Sequence, residues 1–119
     1  MGEKPRPLHR FQALLWEKPH RVWVGVYVWR TAEDMRKVCV RSRDRYDALT
    51  WQFNRRRGQV AQIHFRRRML GHEVICHEAM HAGLHVARLF DICTEEEEEA
   101  VVRVTEHIIS QIYDNIGSL

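Results

Sequence analysis

At 119 residues the chain suits one domain, 1–119, around one core, with no room for a separate regulatory domain. With 45% hydrophobic and 29% charged residues it reads as a soluble globular chain, and no apolar run approaches the roughly 20 residues that span a bilayer. The net charge of +3 is mostly arginine, clustered at Arg55-Arg56-Arg57 and Arg66-Arg67-Arg68 against an acidic run from Glu95 to Glu99, a segregation that suits solvated faces better than a nucleic-acid site.

The charged start Met1-Gly2-Glu3-Lys4 lacks the apolar stretch of a signal peptide, so a cytoplasmic protein is the expectation. Residues 1–7, with Pro5 and Pro7, are expected to form a loose arm. Residues 21–30 read RVWVGVYVWR, with Val22, Val24, Val26 and Val28 on one face and Trp23, Tyr27 and Trp29 on the other. This pattern predicts a central strand covered on both faces. Thr31 followed by Ala32-Glu33-Asp34 predicts a capped short helix to about Val38.

Residues 39–47 are polar and carry no clear period. ALTWQF at 48–53 alternates Leu49, Trp51 and Phe53 and predicts a second strand. Gly58 marks a turn, and Gln59 to Phe65 predicts a third strand, placed at a sheet edge because it is short and flanked by arginines. The stretch from Asn54 to Gly58 could join these two strands as a hairpin. From Met69 to Phe90 apolar residues recur at helical spacing. Thr94 with Glu97 forms a capping box for a last helix that buries Val101, Thr105, Ile108 and Ile112. The order of elements predicts an α+β fold, a small mostly antiparallel sheet packed on two helices. Cys39, Cys76 and Cys93 are odd in number and lack CxxC spacing, which argues against a disulfide framework and for reduced, mostly buried thiols.

The chemistry concentrates at His77-Glu78-Ala79-Met80-His81. Histidines four residues apart on a helix project from one face, so both can reach one zinc ion. Glu78 beside them can take a proton from activated water and pass it to a leaving amine, the arrangement of the zincin signature HExxH. A catalytic zinc needs a third protein ligand and an open position. The metzincin solution, a histidine ten residues after the first, is excluded because that position is Ala87. His85 is rotated by roughly 80° from His77 and His72 is more remote, so neither is a good chelator. A glutamate opening the last helix is the gluzincin alternative: Glu98 lies on the stripe of Val101 and Thr105, with Glu99 next in order. Asp91, Thr105 and Glu106 are candidate partners for the outer nitrogens of the ligand histidines, and Cys76 is expected to be core.

The segments QIHF, GHEVICHEAMHAGLHVA and EEEEEAVVRVTEHIISQI, between Gln62 and Ile112, resemble the small gluzincin-like metallopeptidases encoded in bacteriophage and prophage genomes, and WVGVYVWRTAEDMRKV is similar too. The resemblance covers about three-quarters of the chain, but its specific elements are HExxH and a downstream glutamate. It implies zinc on His77, His81 and Glu98 (or Glu99), with Glu78 as general base. Glu106 departs from it, standing where relatives often keep a small residue. The expected activity is zinc-dependent peptide-bond hydrolysis on a peptide or protein substrate, with Tyr113 or nearby arginines as candidates for stabilising the oxyanion. The alternative is a catalytically silent zinc protein that binds a host protein. A nucleic-acid binder working through the arginine clusters comes third.

Overall fold

The elements in chain order are β1 (His9–Trp16), β2 (Val22–Trp29), α1 (Ala32–Val38), β3 (Ala48–Gln52), β4 (Gly58–Arg66), α2 (His72–Leu89) and α3 (Glu97–Ile116). They come from a computed structural model that describes residues 4–39, 48–91 and 97–117. The four strands form one mixed sheet in the order β1-β2-β4-β3. β1 pairs antiparallel with β2, β2 parallel with β4, and β3 antiparallel with β4. The α+β class therefore holds, with three α-helices and a four-stranded sheet among the described residues.

β2 is central, as its two-sided pattern predicts. Val22, Val24, Val26 and Val28 are fully buried, and the first three join Ala61, Ile63 and Phe65 of β4 in the main core. Ile75, Ala79, Ala82 and Val86 of α2 and Ile108 and Ile112 of α3 close that core from above. The predicted buried stripe of α3 is present: Val101, Thr105, Ile108 and Ile112 are all buried. Fully burying aliphatic side chains of this size contributes about 1.5–3 kcal/mol each relative to exposure, so this layer dominates the stability. α1 packs a smaller cluster, with Met35 and Cys39 against Trp29 and Leu49. Its predicted cap is present: Thr31 is extended, and its hydroxyl accepts from the Asp34 amide at 3.1 Å.

Two expectations need correction. The strand at Gln59 to Phe65 is not an edge: β4 lies between β2 and β3, and β3 takes the edge. Arginine flanks suggested exposure, but Val60, Ala61, Ile63, His64 and Phe65 are buried, because parallel pairing with β2 draws the strand inward. A strand at His9–Trp16 was also not anticipated, because its alternation mixes His9, Arg10 and Gln12 with apolar residues. α3 holds it in place: the Leu14 carbonyl accepts from Gln111, and the Leu14 amide donates to Gln111 Oε1 at 2.9 Å. The 48–52 strand and its antiparallel partner do form the anticipated hairpin. Gly58 begins β4 with φ of 68°, a left-handed conformation that glycine takes without strain. The helix expected from Met69 starts at His72, after a short 3-10 turn at Arg67–Met69. The Thr94 capping box and Cys93 lie outside the described residues.

His64 is buried in the sheet, where its Nδ1 accepts from Trp29 Nε1 at 2.9 Å. This fixes the neutral tautomer, whose Nε2–H donates to Gln62 Oε1 at 2.9 Å. Burial pushes the imidazole down from 6.5 to about 4. A depressed folded-state value means the unfolded chain binds the proton first, so stability is complete above pH 6.5 and falls as pH drops toward 4. Between pH 7.5 and 4 the loss from this group is about 3 kcal/mol. Urea unfolding across that range is expected to show it, and His64→Gln should flatten the profile. An equally steep profile in that variant would assign the effect elsewhere.

Candidate metal centre

α2 begins at His72, capped by Gly71 in an extended conformation with no side-chain hydrogen bond. Its buried stripe, Ile75, Ala79, Ala82 and Val86, faces the sheet, which turns His77 and His81 outward. Their Nε2 atoms stand 3.1 Å apart, with ring centroids 4.7 Å apart and ring planes at 82°. A tetrahedral zinc with bonds of about 2.0–2.1 Å requires its nitrogen ligands to be about 3.3–3.4 Å apart, so the pair fits one ion.

Glu78 lies on the adjoining side and is buried at 6% exposure. Its Oε2 is 3.9 Å from His77 Nε2, and its Oε1 accepts from the Thr50 hydroxyl at 2.8 Å. Among the described residues no lysine or arginine pairs with Glu78, so a buried carboxylate faces two imidazoles with one neutral hydrogen-bond donor behind it. The ligand atoms of His77, Glu78 and His81 all lie within 4.8 Å of one another, a group that could hold a metal ion. Thr50 is a member of the site that the sequence did not single out. Only the register of β3, with Thr50 opposite Ile63, shows which of its alternating side chains turns toward α2.

Glu98 is exposed in the first turn of α3 and does not belong to that group. Glu99 is exposed and pairs with Arg103 at 3.2 Å. α3 runs antiparallel to α2, with Thr105 against Met80 and Gly83 and Tyr113 reaching His72. Seven residues of helix separate Glu98 from Thr105, roughly 10 Å along the axis and away from His77. Glu106, next to Thr105, is exposed and level with Met80.

The other expected residues have distinct places. His85, half-buried one turn after His81, donates from Nε2 to the Phe53 carbonyl at 2.9 Å and the Val60 carbonyl at 3.1 Å, pinning the β3–β4 hairpin to α2. Tyr113 Oη is 2.7 Å from His72 Nδ1. Cys76 is half-buried rather than core, its Sγ 3.5 Å from His72 Nε2. Asp91 pairs with Arg56 at 2.8 Å on the surface, away from the histidines' outer nitrogens. Cys39 is buried, and burial raises its thiol to about 11. Ala87, the position that excludes a metzincin site, is itself buried.

Comparison with protein-family models, with curated proteins and with solved structures finds no match. Among the described residues no helix is long and apolar enough to cross a membrane.

Proposed function

We propose that the chain is a minimal zincin-like hydrolase of peptide bonds, with zinc on His77 and His81 and Glu78 as general base. The observation that carries this reading is the convergence of the two Nε2 atoms, 3.1 Å apart, beside a buried carboxylate held by Thr50. A further ligand would come from an α3 carboxylate: the resemblance implies Glu98, but Glu98 lies roughly 10 Å along α3 from Thr105, so Glu106, next to Thr105 and level with Met80, is the better candidate. Bound there, zinc supplies Lewis acidity, polarising a carbonyl and acidifying water. Glu78, with Thr50 occupying Oε1, keeps Oε2 directed toward His77 to accept a proton and return it to the leaving amine. β3 is the strand that would align substrate. Among the described residues β4 is its one strand partner, and its Thr50 contacts Glu78, so an extended peptide added to its outer edge would pass the site.

A second reading, a silent zinc protein acting through a host-protein surface, is favoured by the openness of the site. The His77 side chain is 69% exposed and Met80 is 42% exposed. An unbiased peptide-library cleavage assay on zinc-loaded protein separates the two. Cleavage that a chelator removes and zinc restores is the expected result. Bound zinc with no cleavage would favour the second reading.

A further inference from the structure

Arg30 and Arg66-Arg67-Arg68 are far apart in sequence, yet parallel pairing of β2 with β4 sets Trp29 beside Arg66. Both strands therefore leave the sheet at the same end, and Arg30, Arg66, Arg67 and Arg68 line one cavity of about 590 Å³ with Thr31 and Ala32. Among the described residues no carboxylate lines it. The nearest acids in sequence are Glu33, paired to Lys37 at 3.5 Å, and Asp34, in the first turn of α1.

The same register puts a row of aromatic residues on the sheet face opposite α2 and α3. Cross-strand partners share a face. Tyr27 is opposite His64, and its ring stacks on that imidazole at 4.6 Å and 8°. Trp51 lies across His64 at 5.7 Å, and Trp23 sits two positions from Gly25 on β2. Trp23, Tyr27 and Trp51 are all half-buried; Tyr27 and Trp51 border the cluster that Met35 of α1 forms with Trp29 and Leu49, and Trp23 lies outside it. Gln59 and Gln62 lie between them, joined at 2.7 Å. Arg21 sits over Trp23 at 5.9 Å and also pairs with Glu17, and exposed Arg10 is opposite Tyr27.

We propose that this face binds single-stranded nucleic acid, with the sugar-phosphate backbone at the arginine cavity and unpaired bases against Trp23, Tyr27 and Trp51. Guanidinium groups at one end supply charge complementarity to phosphate. Flat aromatic faces flanked by amides suit splayed bases, which a duplex does not offer. The site is independent of the metal centre, which lies across the sheet on α2.

Fluorescence anisotropy with a labelled oligothymidylate tests this, with duplex DNA and inorganic polyphosphate as competitors. Binding is expected to fall steeply with salt and to quench tryptophan emission. The double variant Arg67→Glu/Arg68→Glu, both at exposed positions, should weaken it at least tenfold, and Trp51→Ala by roughly tenfold. Circular dichroism confirms that each variant is folded, and His77→Ala should bind as the parent does. Absence of binding at low salt would overturn the proposal. So would equal competition by duplex or polyphosphate with no effect of Trp51→Ala, which would reduce the face to a general anion patch.

Discussion

Replacing Glu78 by glutamine is expected to lower peptide hydrolysis by at least about a thousandfold while leaving bound zinc unchanged, on the scale general bases contribute. Glutamine keeps the shape of the side chain and an oxygen that can still accept from the Thr50 hydroxyl, now 2.8 Å from Glu78 Oε1. The buried position therefore stays satisfied, and the fold should not suffer. What is lost is a group able to take a proton. Because Glu78 is 6% exposed, solvent cannot easily replace it. Steady-state cleavage and metal content measured on the same preparations give the answer. Activity that survives the substitution would remove Glu78 from the mechanism, and loss of zinc would make it a ligand.

The second large effect is expected at Gly83, where α2 packs directly on Thr105 of α3. A Cβ built there would collide with Thr105 Oγ1 and stand 3.3 Å from Thr105 Cβ. The hydroxyl can rotate away, but the Thr105 Cα at 3.4 Å belongs to the backbone and holds the helix in place. For Gly83→Ala two effects compete: alanine favours a helix over glycine by about 1 kcal/mol, and overpacking costs about 1–3 kcal/mol. A net loss of about 1 kcal/mol follows. Gly83→Val adds two methyl groups and β-branching without the propensity gain, so about 3 kcal/mol is expected. Urea midpoints measure both. Adding Thr105→Ala to Gly83→Ala should recover most of the loss, and a Gly83→Val protein as stable as the parent would show that the helices separate freely.

Much of the fold was legible because periodicity and capping are local. β2, the capped α1, the β3–β4 hairpin and the buried stripe of α3 all follow from residue spacing over a few turns or strand positions. The position of β4 was not legible: whether a short strand lies inside a sheet depends on a partner far away in sequence, here β2, running parallel. β1 was hidden because its exposed face carries Arg10 and Gln12, and its hold on α3 comes from Gln111, near the other end of the chain. The histidine pair was the most legible element of the site, since i and i+4 spacing alone brings His77 and His81 together. Thr50 was invisible for the opposite reason, as its role depends on β3 register against α2. The place of Glu98 depended on where Thr105 meets α2, which no spacing within α3 can tell.

Elemental analysis of the purified protein tests the central claim most directly, with His77→Ala as control and Glu98→Ala beside Glu106→Ala to assign the α3 ligand. One zinc per chain in the parent and none in His77→Ala is the predicted result. A parent free of zinc after purification and after zinc loading, its two imidazoles joined only by a hydrogen bond across 3.1 Å, would contradict it.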